Sequence, residues 1–223
     1  MVAGYSFATD GFMCGAACRP VGRAHLPKVR FDLSDAGVVL CDGGSSAIAR
    51  PLAEIAGWEC ARNLPLCDSS QDALLKSGDV VGRVSGLLGG GQCSTLLARF
   101  CKGGELDICS IGDILAFLVS DGEVHPLFDF SSWGHFGFLP GLGEAFAGSN
   151  AKGKLRSDRI FLESGDCLLV LTSGVWRNVS LSALSQACDL YGGHPAKCAE
   201  LVASTADLLG ARMDVAVAVI EKA

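Results

Sequence analysis

The chain has 223 residues, of which 49% are hydrophobic and 19% are charged, and its net charge at pH 7 is −6. This composition excludes an intrinsically disordered chain, and the length suits one well-packed domain better than two. The lysines and arginines form no basic stripe, and no apolar run reaches the roughly 18–20 residues that span a bilayer. We therefore expect no nucleic-acid partner and no membrane association.

The cysteine content is high, with 11 residues. Cys41, Cys109 and Cys167 lie in apolar runs typical of buried strands, where free thiols behave as small hydrophobic groups. Cys14 and Cys18 have a spacing found in zinc sites, but no second pair of ligands follows at a convincing distance. The N-terminal residues also lack the pattern of a signal peptide. We therefore expect an intracellular, cytoplasmic protein in a reducing compartment.

The first half of the chain predicts a buried strand, a helix and an antiparallel meander. Residues 36–41 form a short apolar run that stops at Asp42 and Gly43, as a strand does at a turn. Apolar residues at helical spacing, Trp58 among them, then predict a helix over 47–60. Strands separated by glycine-containing turns are predicted over residues 93–101, 106–111, 114–119 and 123–127.

The second half begins with a segment over 128–158 that is rich in Gly, Phe and Ser and predicts a loop or flap. A buried strand follows over 167–172, and helices are predicted over 180–190 and 195–209. Residues 215–220 are almost wholly apolar, which is typical of a central strand covered on both faces. The whole pattern indicates an α+β sandwich of mainly antiparallel sheets with helices outside.

Asp42 is the best single candidate for chemistry. It is a carboxylate at a strand end, and the adjacent Gly43 lets backbone carbonyls approach a hard cation. One carboxylate makes a weak site, however, and turn preferences favour Asp42 as the cap of its own turn. The four histidines have no partner at a telling spacing, and they are His25, His125, His135 and His194.

Four segments resemble landmarks of the metal-dependent serine/threonine phosphatases of the 2C family, in the family's order. Residues 165–176 resemble its Gly-Asp…Ser-Asp-Gly-Leu-Trp-Asp signature, and residues 38–46 resemble its apolar strand followed by Asp-Gly-His-Gly-Gly. Residues 93–96 are similar to its Gly-Ser-Thr-Ala, and residues 106–117 to its strand–Gly-Asp–strand hairpin. The resemblance implies a single domain over 1–223 with a four-layer α-β-β-α sandwich, in which two mainly antiparallel sheets are flanked by helix pairs.

The same resemblance shows where the family's acids are missing. The opening Arg-Pro-x-x-Glu-Asp motif is matched best where Arg23 and Ala24 stand at the acid positions. Ser173 stands where the family has a metal-binding aspartate. Met213 takes the ligand position of the final Asp-Asn-x-Thr motif. Asp214 lies one residue further on, and in a strand that slip turns the side chain to the other face.

The leading hypothesis is therefore a catalytically inactive phosphatase 2C-like domain that serves as a binding or scaffold subunit in a protein assembly, with no cofactor. Ala24, Ser173 and Met213 are then vestigial positions. The aromatic residues of the flap are a candidate surface for a protein partner. They are Trp133, Phe136 and Phe138.

Two alternatives remain open. The first is a divergent, active phosphoserine/phosphothreonine phosphatase, in which an altered Mn²⁺ or Mg²⁺ site is built from Asp42, Gly43, Asp113 and Asp214. The second is a small-molecule or regulatory sensor domain on the same fold, with a pocket lined by cysteines and aromatic residues.

Overall fold

The computed structural model describes residues 5–9, 11–20, 27–44, 47–128 and 155–223. Within these residues the strands form two sheets, and every pairing is antiparallel. The strands are β1 (Tyr5–Ala8), β2 (Phe12–Arg19), β3 (Val29–Ser34), β4 (Gly37–Asp42), β5 (Ser94–Phe100), β6 (Glu105–Ile111), β7 (Leu115–Ser120), β8 (Glu123–Pro126), β9 (Arg156–Phe161), β10 (Cys167–Leu171) and β11 (Val215–Lys222).

The first sheet contains six described strands in the order β1-β2-β11-β10-β7-β8, and the second contains five in the order β3-β4-β5-β6-β9. The helices are α1 (Ala49–Asn63), α2 (Ser70–Leu87), α3 (Ser173–Trp176), α4 (Leu181–Tyr191) and α5 (Pro195–Leu208). Helices α4 and α5 cover the first sheet, and α1 and α2 cover the second. The predicted α-β-β-α sandwich is therefore confirmed.

Strand β11 shows why its sequence is apolar on both faces. Val215, Val217 and Val219 pack into the layer under α4 and α5, whereas Ala216 and Ala218 pack between the two sheets. The strand lies between β2 and β10 and is buried almost throughout. The prediction of a central, doubly covered strand is confirmed.

The predicted helix over 47–60 forms as α1, which begins and ends later than predicted. Its buried face is made of small residues, among them Ala53, Ala56 and Cys60, because the helix lies close against the second sheet. Trp58, at an apolar position of the predicted pattern, is 64% exposed. The helix α2 was not predicted, and it packs beside α1.

The predicted meander is only partly correct. Strand β6 belongs to the second sheet and β7 to the first, so the chain crosses between sheets at Gly112 and Asp113. Gly112 has a φ of +88°, which favours glycine, and a Cβ there would lie 2.3 Å from Ser94 Oγ. The segment predicted as a strand–turn–strand hairpin is therefore a crossover between sheets.

Most of the predicted flap, residues 129–154, lies outside the described residues. Its flanks are packed, since Phe128 is buried between the sheets and Arg156–Phe161 form β9. Residues 156–158 are therefore strand, because they extend the edge of the second sheet beside β6. In the part of the chain that the structure describes, no helix is long and apolar enough to cross a membrane.

Candidate functional site

The candidate residues come from strand ends at one end of the sandwich. Asp42 is the last residue of β4, directly opposite Ser94 in the pairing with β5. Asp113 lies in the crossover after β6. Ser173 follows β10, and Asp214 precedes β11, which pairs with β10. The two-sheet topology thus brings positions from distant parts of the sequence to one place.

Asp42 is buried, with 5% exposure, and its Oδ1 accepts a hydrogen bond of 2.8 Å from the backbone N–H of Gly44. It therefore caps the turn that follows β4, as turn preferences indicate. The turn is tight, because a Cβ on Gly43 would lie 1.8 Å from the carbonyl oxygen of Ala49 at the start of α1. Only glycine fits this backbone.

Burial raises the pKa of Asp42 to about 7, and the hydrogen bond from Gly44 acts in the opposite direction. The negative charges of Asp113 and Asp214 raise the pKa further, and Lys28 lowers it. Asp113 and Asp214 are thus both close enough to act on the charge of Asp42.

Asp113 and Ser94 are joined by two hydrogen bonds. Ser94 Oγ donates to Asp113 Oδ1 at 2.7 Å and accepts the backbone N–H of Asp113 at 3.2 Å. The carbonyl oxygen of Asp113 accepts the indole N–H of Trp176 at 2.9 Å. The tryptophan of the signature segment therefore fixes the crossover that carries Asp113.

Ser173 and Met213 contact each other. Ser173 is 0% exposed, and its Oγ donates to Met213 Sδ at 3.5 Å. The carboxylate of Asp214 is directed elsewhere, and its Oδ2 accepts the backbone N–H of Lys28 at 2.8 Å. Met213 therefore lies in contact with Ser173, at the turn that precedes β11.

The backbone around Ser173 is held by β11. Thr172 Oγ1 donates to the carbonyl oxygen of Asp214 at 3.1 Å and accepts the N–H of Ala216 at 2.9 Å. A Cβ on Gly174 would lie 2.6 Å from the Asp214 carbonyl oxygen. Residues predicted to form a tight turn are the first turn of α3. Thr172 and Gly174 therefore each have a structural role in packing against β11, and neither role depends on an acid at position 173.

Arg156 is a cation that sequence reasoning does not single out. Its guanidinium donates to Ser110 Oγ at 3.1 Å and to the carbonyl oxygen of Gly112, and it lies over the ring of Phe128. Burial lowers the pKa of Arg156 to about 10, against the charge of Asp113, which raises it. No motif contains Arg156, so only the pairing of β9 with β6 reveals its place.

Several predicted positions cannot be placed. Arg23 and Ala24, and the flap aromatic residues Trp133, Phe136 and Phe138, lie outside the described residues. Among the residues that are described, no three His, Cys, Asp or Glu side chains form a group that could hold a metal ion. The proposed metal ligands Asp42, Gly43, Asp113 and Asp214 therefore remain predictions.

No protein-family model and no curated protein sequence matches the chain. Solved structures do match it. The Mycobacterium tuberculosis serine/threonine phosphatase PstP/Ppp is similar with a TM-score of 0.78 and 16% identity, covering 95% of this chain and 98% of that chain. PppA, a key regulatory component of T6SS in Pseudomonas aeruginosa, is similar with a TM-score of 0.80, 17% identity and the same coverage.

A third match is the catalytic domain of PstP in complex with two manganese ions, with a TM-score of 0.77 and 17% identity over 95% of this chain and 98% of that chain. The chain therefore has the fold of the serine/threonine phosphatases of the 2C (PPM) type, as the sequence resemblance implies. Identities this low establish the shared fold and not a shared reaction.

Proposed function

We propose that the chain is a catalytically inactive phosphatase 2C-like domain that serves as a binding or scaffold subunit in a protein assembly. The contact between Ser173 and Met213 carries this proposal. Both residues stand where the sequence resemblance places metal-binding aspartates, and they form a neutral hydroxyl–thioether pair.

A hydroxyl and a thioether are poor substitutes for carboxylates at such a site. Divalent Mg²⁺ and Mn²⁺ prefer several hard oxygen ligands, and two ions close together require bridging negative charge. Ser173 is wholly buried, so no solvent water reaches it to serve as a replacement ligand. The two positions therefore supply no negative charge to a metal pair.

The remaining acids are already engaged by groups of the protein. Asp42 caps its own turn, Asp113 accepts from Ser94, and Asp214 accepts from Lys28. The buried cation of Arg156 interacts with Asp113, which lowers the attraction of this region for further cations. This donor set fits a pair of divalent ions poorly, and with no such pair the site lacks the usual means of activating a water molecule.

A phosphopeptide assay tests the proposal. Purified protein supplied with Mn²⁺ is expected to release no phosphate above the level of a heat-denatured sample. Turnover that Asp42→Ala abolishes, and that Asp79→Ala on the exposed face of α2 leaves unchanged, would overturn it.

A divergent active phosphatase is the second candidate, and one observation favours it. Asp113 and Asp214 both act on the charge of Asp42, so three carboxylates lie near one another. These three carboxylates would be the metal ligands in this second function. The same assay separates the two functions.

The binding role has its own test. Replacing Trp133, Phe136 and Phe138 together by alanine is expected to remove a co-purifying protein, because aromatic side chains dominate many interfaces. Trp58→Ala is the matched control, since Trp58 is exposed on α1. Equal losses in both variants, measured by quantitative mass spectrometry, would count against the flap as the binding surface.

A further inference from the structure

The outer face of α1 carries a large aromatic side chain that points away from the domain's own core. Trp58 is 64% exposed. At about 3.6 residues per turn it lies opposite the buried side of the helix, which contains Ala53, Ala56 and Cys60 and packs on the second sheet. Tryptophan is enriched at interfaces between proteins, and an exposed tryptophan on an outer helix face is therefore a candidate contact point.

The residues around Trp58 are arranged symmetrically along the chain. Six residues stand three, four and seven positions to either side of it, which are the spacings that share one face of a helix, and none of the six is buried. In pairs equidistant from Trp58, they are Ile55 and Ala61, Glu54 and Arg62, and Pro51 and Pro65. Each apolar residue is thus matched by an apolar residue, and the acid is matched by a base.

This symmetry makes the face complementary to itself in one orientation. In two antiparallel α1 helices related by a two-fold axis at Trp58, residues equidistant from the axis face each other. Glu54 then faces Arg62 of the second copy, and Arg62 faces Glu54 of that copy. In a parallel pair Glu54 would face Glu54, and like charges in contact oppose association. The charges therefore select the antiparallel arrangement.

We propose that the outer face of α1 binds a second copy of this chain in antiparallel orientation, with Trp58 at the two-fold axis. The two Trp58 side chains pack on each other at the centre, where aromatic residues contribute most to binding. Within one chain Glu54 contacts Arg50 at 3.1 Å, and Arg62 contacts Glu59 at 2.6 Å. Exposed pairs of this kind contribute little to stability, so both charges are available to a partner across the interface.

The length of α1 sets the strength of this contact. A helix of 15 residues spans about 22 Å, so one helix pair buries less surface than the roughly 1,600 Å² of a standard interface. We therefore expect a weak dimer, with a dissociation constant of about 1 μM or above. The face is turned away from the second sheet, so the contact does not depend on the strand-end site or on the proposed function.

Sedimentation velocity of the purified chain, over about 1 μM to 500 μM, tests the proposal. The wild type is expected to shift with concentration from the 23.1 kDa monomer towards a dimer. Trp58→Ala is expected to weaken dimerisation at least about tenfold, because it removes the central aromatic contact from both chains. A wild type that stays monomeric over the whole range would overturn the proposal and leave the face to a different partner.

Charge reversal tests the orientation. Glu54→Arg and Arg62→Glu each place like charges across the axis twice, since every substitution occurs in both chains, and each is expected to weaken dimerisation about tenfold or more. An equimolar mixture of the two variants is expected to restore the dimer. One variant then carries two positive charges on this face and the other carries two negative charges.

Arg83→Glu is the matched control for Arg62→Glu, because Arg83 is an exposed arginine on α2 and the change in charge is the same. It is expected to dimerise like the wild type and to leave Glu54→Arg monomeric in a mixture. Circular dichroism confirms that each variant is folded. A mixture of folded Glu54→Arg and Arg62→Glu that stays monomeric, or a dimer that neither substitution weakens, contradicts the proposal.

Discussion

At the scale of single residues, the strand-end site contains a buried acid, Asp42, and a neutral hydroxyl–thioether pair, Ser173 and Met213. Asp42 has one backbone donor for its carboxylate, while Ser173 and Met213 satisfy each other. Burial opposes the ionisation of Asp42 more strongly than the hydrogen bond from Gly44 and the charge of Lys28 favour it. The stability of the fold should therefore depend on whether Asp42 is protonated.

The predicted dependence on pH follows from the raised pKa. The folded pKa of Asp42 is about 7 against an ordinary value of 3.8, so its contribution is fully present below about pH 4 and is lost as the pH rises to about 7. Asn keeps the oxygen that accepts from Gly44 and cannot ionise. The stability of Asp42→Asn relative to wild type should therefore be greater at about pH 8 than at about pH 5, by on the order of 3 kcal/mol.

Chemical denaturation at the two pH values measures this difference. Asp79→Asn is the control, since Asp79 is exposed on α2, and its effect should be small and equal at both values. A difference for Asp42→Asn that does not change with pH would show that Asp42 is not a buried, uncompensated acid.

Restoring acids at the two neutral positions should restore affinity for metal. Ser173→Asp combined with Met213→Asp places two carboxylates at positions whose side chains contact each other in the wild type. We expect Mn²⁺ to bind at least about tenfold more tightly than to wild type, because the charge of the ligand set controls affinity for hard cations. Calorimetric titration measures the affinity of both proteins for Mn²⁺.

Ser173→Asn combined with Met213→Asn is the matched control for that variant, with the same shape and no charge. If the Asn pair binds Mn²⁺ as well as the Asp pair does, or if neither pair gains affinity, the loss of acids does not explain the chemistry of the site.

At the scale of secondary structure, the junction between β4 and α1 positions Asp42. Gly43→Ala forces a Cβ to within 1.8 Å of the Ala49 carbonyl oxygen, so the start of α1 must move. We expect a loss of about 1–3 kcal/mol in the free energy of unfolding. Gly86 on α2 has open space around its Cα, so Gly86→Ala should gain about 0.5–1 kcal/mol. Urea denaturation compares the two.

The expected changes in the free energy of unfolding have opposite signs in the two variants, and this difference is the check on the prediction. Two glycines replaced by the same residue differ only in their surroundings. Gly43→Ala that is as stable as wild type would mean that the turn after β4 is not closely packed against α1.

Elements with a strong local signal could be predicted from the sequence. The unbroken apolar run of β11 and the helix predicted over 180–190 both appear as expected, and Ser180 caps that helix by accepting from the N–H of Ala183. Strand β2 could not be predicted from the sequence. Its Cys, Gly and Ala residues carry little strand preference and are buried by the packing of α5. The glycines of α2 likewise weaken its helical signal.

The sequence indicates which residues belong to the candidate site, but it does not show which of them contact one another. Motif resemblance identifies Asp42, Asp113 and Ser173, because each follows or precedes a recognisable strand. It does not reveal that Ser94 binds Asp113 or that Arg156 interacts with it, since those contacts join strands far apart in sequence. The contact between Met213 and Ser173 is likewise visible only in the structure.

At the scale of the whole molecule, the described residues form both sheets and both helix pairs of the sandwich. Both sheets, their helices and the hydrogen bonds around Thr172 are held by apolar packing and backbone contacts that need no metal. These contacts place no requirement on the acids of the strand-end site, because fold and reaction rest on different residues.

The measurement that tests the central claim most directly is calorimetric titration of the wild-type protein with Mn²⁺ near neutral pH. We predict no saturable binding up to about millimolar metal, the weak end of the range for protein sites that bind divalent cations through oxygen ligands. Saturable binding of two ions per chain, lost in Asp42→Ala and retained in Asp79→Ala, would contradict the account and establish a working metal centre.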